Sequence, residues 1–346
     1  MLETEERFTP RADISVVIPS FNRRDSLCAL VTALCAQHAP WLAVETIVVL
    51  DGSTDGSAEA LAALTPPPGW RLVVHAQPNR GLSAARNAGW RRATGEVVLF
   101  LDDDVVPGEG LLAAHLHAHH AADAVLGRLD GRAASWVPAA LADGVMAYYR
   151  TQHMGLARSG VTRALDVFTG NLSVKRRWLQ AVDGFDEAFA GYGCEDWDLG
   201  QRLLAAGAGF AYAADAAVVH QFALTPARWR AHMQQMGRAQ VRLVTKYPHL
   251  SGQMILGEFY HSSGGHRLAT QFAIQFPRLS MAASAAAFRL VPLAQRVAGP
   301  RAARQVVGLS WRLAFWSGVR SAFASARALR ASRHFRRSPG ADPDPP

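Results

Sequence analysis

The stretch that decides the fold is Gly95-Glu96-Val97-Val98-Leu99-Phe100-Leu101-Asp102-Asp103-Asp104. Five large apolar residues run straight into three adjacent carboxylates. A run this short and apolar on both faces reads as a buried strand, and such strands belong to sheets covered on both sides. Working outward, Ile14–Ile18 (ended by Pro19), Thr46–Leu50 and Arg71–His75 read as further strands. Arg24–Gln37, Ser57–Leu64 and Leu82–Ala93 read as helices, with a Pro-rich loop over 65–69. The alternation predicts an α/β domain whose first 130 residues form a parallel, doubly covered sheet. In such sheets ligands bind beyond the carboxyl ends of the strands, where Asp51 and the three aspartates both fall.

Downstream, residues 131–165 are less periodic and read as an insertion beside that site. Phe168–Tyr212 is dense in polar, glycine and aromatic residues, and Ala216–His220 reads as a last strand. Beyond about Pro226 the pattern is helical, with breaks at Pro248, Pro277, Pro292 and Pro300. The expected organisation is an extension (1–13), two sheet-containing halves (14–130 and 131–225), a helical region (226–337) and a disordered Pro/Asp-rich tail (338–346).

Composition sets the outer bounds. Of 346 residues, 49% are hydrophobic and 18% charged, which excludes a disordered or collagen-like polymer. The 36 Lys+Arg against 28 Asp+Glu leave +8, but from His261 onward there are 13 Arg and 2 Asp, so residues 1–260 carry −3. A basic excess points to nucleic acid, a phosphate-bearing ligand or an acidic membrane surface. Lys175 and Lys246 are the only lysines; arginine suits bidentate phosphate contacts, although a high-GC genome produces the same bias. Cys28, Cys35 and Cys194 form neither a metal spacing nor an even disulfide framework, which fits a reducing cytoplasm. Cys28 and Cys35, seven apart in a helical pattern, are expected on one buried face. The charged N-terminus lacks the apolar core of a signal peptide, and no uncharged apolar stretch reaches the length of a membrane span.

Four segments carry candidate chemistry. Asp102, Asp103 and Asp104 repel one another unless a hard cation such as Mg²⁺ or Mn²⁺ takes their oxygens; the bland alternative is a solvated turn. In Leu50-Asp51-Gly52-Ser53-Thr54-Asp55-Gly56-Ser57, Asp51 is placed to contact a base or ribose, whereas Asp55 and Ser57 are better read as helix caps. Gly81 to Gly89 opens a helix whose N-terminus favours an anion, with Arg86 near a phosphate or base; a solvated surface helix is the alternative. Gly89 inside that helix points to close packing. Asp183–Leu199 embeds carboxylates among Phe185, Phe189, Tyr192 and Trp197, a setting that can poise a general base. Glu195-Asp196 are the candidates there, with Asp186 and Glu187 read as caps or ion pairs. His220, ending the last strand, is either a core histidine or a further metal ligand.

In this order the segments resemble the family-2 glycosyltransferases, inverting enzymes of the GT-A fold that use nucleotide-sugar donors. The matching stretches are VVIPSFNR (16–23), VVLDGSTDGS (48–57), NRGLSAARNAGWRRATGEVVLFLDDD (79–104) and TGNLSVKRRWLQAVDGFDEAFAGYGCEDWDLGQRL (169–203), the last also similar to a galactosyltransferase-type C-terminal half. The resemblance covers roughly residues 14–220 and implies a mixed sheet flanked by helices. It further implies that Pro19 and Phe21 line the base pocket with Asp51, and that Arg86 lies nearby. Asp104 would hold Mn²⁺ or Mg²⁺, with Asp102 nearer ribose and metal-bound water, Asp103 on the donor side, and His220 at a third ligand position. Gly170 and Asn171 would border the donor sugar, Asp196 would be the general base, and Glu195 would position the acceptor hydroxyl. The implied reaction moves a hexose-type sugar, from a UDP-sugar first of all, to a hydroxyl of a glycan, lipid-linked or small-molecule acceptor.

The chain departs from the family pattern at Leu50, where a second aspartate is common, at Phe21, where Tyr is common, and at Asp183, which replaces a glycine. No QxxRW motif follows the base, which weakens a processive reading; Ala227-Arg228-Trp229 only echoes it. The C-terminal third lies outside the resemblance. Taken as one helix, Arg301–Arg337 gathers nine arginines within an arc of about 200°. Trp311, Phe315, Trp316 and Phe323 project from the same side, opposite Ala and Ser. That pattern fits peripheral attachment of a cytoplasmic enzyme to an anionic membrane surface, or a soluble helical cap. A nucleic-acid-binding protein built on the basic region is the rival, opposed by acidic, sugar-directed motifs and the lack of a nucleic-acid module. A donor-binding protein without transferase activity is a third reading, opposed by the intact Asp102, Asp104 and Asp196.

Overall fold

A computed structural model describes residues 12–37, 39–257 and 264–332. The strands are β1 (Ile14–Ser20), β2 (Val44–Asp51), β3 (Trp70–Gln77), β4 (Val97–Leu101), β5 (Val105–Pro107), β6 (Ala124–Ala133), β7 (Asn171–Lys175) and β8 (Phe210–Phe222). They form one sheet in the order β3-β2-β1-β4-β7-β6-β8-β5. The first four are parallel, with Ile14 level with both Val44 and Val97. β7 then runs antiparallel to both β4 and β6, β6 and β8 are parallel, and β5 returns antiparallel on β8. The sheet is therefore mixed, and the parallel expectation holds only for its N-terminal half.

β1, β2 and β4 are buried along their whole length; β4 is an unbroken apolar run, and in the other two the buried Ser15 donates to the buried Glu45 across the pair. One face packs on Leu27, Leu30 and Leu34 of helix Arg24–Cys35; the other packs on Ala85 and Trp90 of helix Leu82–Trp90 and on Leu199. A Cβ on Gly89 would strike Val17, so the glycine lets that helix lie against β1. Pro19 does not end β1. Pairing with β4 stops at Val17, so beyond it a residue without an N–H costs no ladder bond on that side. Cys28 and Cys35 are half-buried against the first layer, not fully buried.

The region read as an aperiodic insertion contains a 21-residue helix, Ala139–Ser159. Helix Leu111–Ala118 and strands β5 and β6 also escaped the reading, and β8 has 13 residues where five were expected.

The chain divides into two compact units. The first comprises 1–133, 146–190 and 195–222 and contains the sheet; the second comprises 134–145, 191–194 and 223–346. The second unit is helical: Pro226–Lys246, Gly264–Gln275, Pro277–Arg289, Val291–Ser321 and Ala326–Ala331. Pro248, Pro277 and Pro292 each stand in the first turn of an element, and Pro300 follows the kink at Gly299, whose φ is 77°. The single helix expected over 301–337 ends at Ser321 and a new one starts at Ala326, capped by Ser325. Residues 1–11, 333–337 and the tail 338–346 lie outside the described residues.

The aromatic side of the expected C-terminal helix is not a surface stripe. Phe315 and Trp316 are fully buried, and Trp311 stacks on Phe315 at 5.5 Å. The small-residue side does pack closely. A Cβ on Gly318 would collide with the Gln234 carbonyl, and one on Gly237 with that of Phe315. Ser284 and Ser310 each donate to the other's carbonyl, at 2.7 and 2.9 Å, and Ser280 donates to the Leu313 carbonyl. Among the described residues no helix is long and apolar enough to cross a membrane.

Candidate functional site

The carboxyl-terminal parts of three strands and the start of one helix meet in the first unit. β4 ends at Leu101 and delivers Asp102–Asp104, β1 ends beside it, and β8 brings His220 through its pairing with the short β5, where Val105 lies opposite His220. The fourth contributor is the start of helix Glu195–Ala205.

Arg86 joins two of these groups. It is 2% exposed, with one terminal nitrogen 2.9 Å from Asp102 Oδ1 and the other 2.9 Å from Glu195 Oε1. Its guanidinium also lies 5.5 Å from the Phe185 ring centre. Such a buried cation stands only because its counter-charges stand with it. Arg86 thus lies buried against carboxylates, not in solvent as the surface-helix alternative had it. Glu195 Oε2 is buried without a hydrogen-bond partner, so one carboxylate oxygen is left for a ligand. Asp196 is half-buried and accepts from the Trp197 amide at 2.9 Å. Burial and the neighbouring Glu195 charge push its carboxyl well above the usual range, against the opposing pull of Arg86.

The three aspartates have three environments. Asp102 has 36% of its side chain exposed, against 13% for Asp104, and a Cβ on Gly170 would approach its Oδ2 to 2.8 Å. Asp103 accepts from Ser20 Oγ at 2.7 Å; burial, then the adjacent Asp104 charge, raise it to about 7. Asp104 pairs with Arg23 and with His220 Nε2, both at 3.0 Å. Burial pushes Asp104 up, but the His220 hydrogen bond and charge, with Arg23, hold it below the ordinary value. Burial lowers His220, and Asp104 more than reverses this, so the imidazole is raised overall. His220 Nδ1 lies 2.5 Å from the Tyr149 hydroxyl.

Asp51 and Asn171 are engaged within the fold. Asp51 accepts from the Arg80 and Gly81 amides at 2.8 Å and from Gln77 Nε2 at 2.9 Å, which ties the end of β2 to the start of helix Leu82–Trp90. Asn171 donates to the Ala216 and Arg128 carbonyls and meets His115 Nε2 at 2.8 Å, pinning the irregularity between Gly127 and Arg128. Pro19 is buried at the end of β1, and Phe21 just beyond it is half-exposed. Asp55 accepts from the Ser57 and Arg24 amides, and Glu187 pairs with Arg80 and Arg91. Asp198 is locked to Arg202.

Sequence reasoning assigned no role to Arg23, Ser20 or Tyr149. Arg23 closes the VVIPSFNR stretch, and a charged residue at a strand's carboxyl end was the available signal. Tyr149 lies in the helix read as an insertion, where no signal marked it.

Two carboxylates and an imidazole are a donor set suited to Mn²⁺ or Mg²⁺. The excess at the site is acidic: Asp102, Asp103 and Asp104, with Glu195 and Asp196, face two arginines, Arg23 and Arg86, and one histidine. The donors thus fit a divalent cation in chemistry, although among the described residues no three ligands form a ready cage.

The profile of "Glycosyl transferase family 2" matches residues 15–182, and that of "N-terminal domain of galactosyltransferase" matches 158–220. Residues 15–182 are a glycosyl transferase family 2 domain. Beyond the family, the chain is 28% identical over 269 residues to the pre-mycofactocin glycosyltransferase of Mycobacterium tuberculosis, covering 74% of this chain and 52% of that protein. The chain spans 52% of that protein and 64% of the uncharacterized glycosyltransferase YfnE of Bacillus subtilis, to which it is 26% identical over 254 residues, so it covers less than two thirds of either relative. Its fold is shared with S. aureus TarS 1–349 in complex with UDP, at TM-score 0.51, 18% identity, and 87% and 89% coverage of the two chains. It is also shared with the mannosyltransferase PcManGT of Pyrobaculum calidifontis in complex with GDP-Man and Mn²⁺, at TM-score 0.53, 19% identity, and 68% and 65% coverage. The mixed sheet is therefore the GT-A fold.

Proposed function

We propose that the chain is an inverting, non-processive transferase that moves a hexose-type sugar from a nucleotide-diphosphate donor to a hydroxyl of a glycan, lipid-linked or small-molecule acceptor. The observation that carries this reading is the Arg86 bridge. One buried guanidinium sets the donor-side carboxylate Asp102 and the acceptor-side pair Glu195-Asp196 in a single cluster. A donor and an acceptor bound on its two sides would meet at the sugar.

In that reaction the acceptor oxygen forms a bond to the anomeric carbon, the bond from that carbon to the diphosphate breaks, and the hydroxyl proton passes to Asp196. One displacement inverts the configuration, and no covalent sugar intermediate forms. A carboxylate held above its ordinary pKa is a stronger base than a solvated one, which suits the step. The unpartnered Glu195 Oε2 would accept from the acceptor hydroxyl and orient it. Pro19 and half-exposed Phe21 offer a surface for the base, while Asp51 holds the loop on which the base would rest. Asp104 and Asp102, with His220, would hold a divalent cation, whose chemistry is to neutralise the leaving diphosphate. Tyr149 and Arg23 keep His220 and Asp104 oriented.

UDP and GDP-Man in the structural neighbours support a nucleotide-diphosphate donor, with a UDP-sugar as the first candidate. The missing QxxRW motif supports single transfers. A panel of nucleotide sugars, read by thermal stabilisation and by release of nucleoside diphosphate with Mn²⁺ present, tests the proposal. One donor that stabilises the protein and is turned over is expected; retention on DNA with no donor turnover would favour the nucleic-acid rival.

A further inference from the structure

In the second unit the outer faces of the helices between Gly264 and Leu309 carry large apolar side chains toward solvent. Leu268, Phe272 and Phe276 follow at intervals of four and form one stripe, opposite the buried Thr270, Ala273 and Ile274. Leu279 is 59% exposed, Leu290 54% and Val297 75%, values foreign to a helix packed in a core. A repeated pairing runs through them: Arg267-Leu268, Arg278-Leu279, Arg289-Leu290 and Arg296-Val297, with all eight residues exposed. Residues 261–332 contain ten arginines and neither aspartate nor glutamate.

We propose that this helical surface docks on an anionic lipid bilayer, the aliphatic and phenyl groups entering the interface and the flanking arginines contacting lipid phosphates. An amphipathic basic surface with exposed Leu and Phe is the physical signature of interfacial binding without spanning. The charge chooses the occupant. Six of these arginines, Arg267, Arg278, Arg289, Arg296, Arg301 and Arg304, are exposed on this surface, and a second copy of the chain would bring six more against them with no acid in the stretch to meet them. A nucleic acid would answer the arginines and leave the exposed aliphatic groups in water. The acidic bilayer answers both. This surface differs from the Trp311–Phe323 stripe expected from sequence, whose Phe315 and Trp316 are in the core. The proposal does not depend on the reaction assigned to the first unit.

The test is sedimentation of the full chain with vesicles of phosphatidylglycerol mixed with phosphatidylcholine, against vesicles of phosphatidylcholine alone. The chain should pellet with the acidic vesicles, and high salt should weaken this. The double variant Leu268→Glu/Leu279→Glu should bind at least tenfold more weakly, because burying one such side chain changes an equilibrium constant by roughly tenfold or more. Arg278→Gln/Arg289→Gln should lose about fivefold per arginine. Both pairs lie on exposed positions, and an unchanged melting temperature identifies folded variants. Failure to pellet, or pelleting that neither variant alters, would overturn the proposal. So would a concentration-dependent oligomer that Leu268→Glu/Leu279→Glu dissolves while no vesicle is bound, since that outcome assigns the surface to a second copy.

Discussion

Arg86→Met is the most demanding perturbation of the site, because it removes a charge and retains much of the volume. Arg86 serves two carboxylates of unequal burial: Glu195 has 6% of its side chain exposed, Asp102 36%. Removing one partner of a buried pair costs about 3–5 kcal/mol, mainly through the charge left behind. The Asp102 pair, a third open to water, adds no more than about 1 kcal/mol. The expected loss is therefore about 4 kcal/mol in the first unfolding transition, followed in denaturant by tryptophan fluorescence. If the cost is the abandoned Glu195 charge, adding Glu195→Gln to Arg86→Met should recover at least about 2 kcal/mol. A loss below about 1 kcal/mol for Arg86→Met, or no recovery in the double variant, would refute the reasoning.

Other outcomes follow from the same structure. Burial first of all lowers His115 and His119 from 6.5 to about 4, so both sit neutral in the fold. Their contribution is complete above pH 6.5 and is lost as the pH falls toward 4, by about 3 kcal/mol for each; equilibrium unfolding across that window should be flatter for His115→Gln. Asp196 must be unprotonated to act as a base, and its carboxyl is raised. Turnover should therefore increase with pH along an acid limb lying well above the ordinary carboxylate value, and a profile flat down to pH 4 would contradict this. Gly318→Val must push against the Gln234 backbone and should cost about 3 kcal/mol, measured as a lowered melting temperature.

The central sheet was legible because β4 is five apolar residues and β1 and β2 carry the β-branched runs Val16-Val17-Ile18 and Ile47-Val48-Val49, a pattern that suits a doubly covered sheet. Helix Leu82–Trp90 was legible down to Gly89, since a glycine inside a helix marks a close approach. The carboxylates Asp102, Asp104 and Asp196 could be picked from their place at strand ends or among aromatic rings, but their partners could not. Arg86 reads as a residue near a phosphate or base, or as a solvated one, and nothing local pairs it with Glu195, 109 residues away, until the fold places the two side by side. Tyr149 meets His220 only because β8 returns next to β5, a three-residue strand too short to show periodicity. Helix Ala139–Ser159 turns Leu141, Val145, Met146, Tyr149 and Leu156 inward, but Gln152 and His153 interrupt that face and Gly144 and Gly155 weaken the helical pattern, so its residues resembled a loop. The C-terminal aromatics misled for a related reason. Periodicity shows that Trp311, Phe315 and Trp316 share a face, but tertiary packing decides whether that face meets lipid or another helix.

The central claim is that Asp196 takes the proton of the acceptor hydroxyl. Asp196→Asn keeps the shape and the Trp197 contact and removes the base, so donor affinity by calorimetry and turnover with the same donor should separate. Donor affinity should remain within about twofold, while turnover should fall by about a hundredfold to ten-thousandfold, the usual contribution of a positioned base. Turnover equal to that of the unaltered chain would contradict the claim.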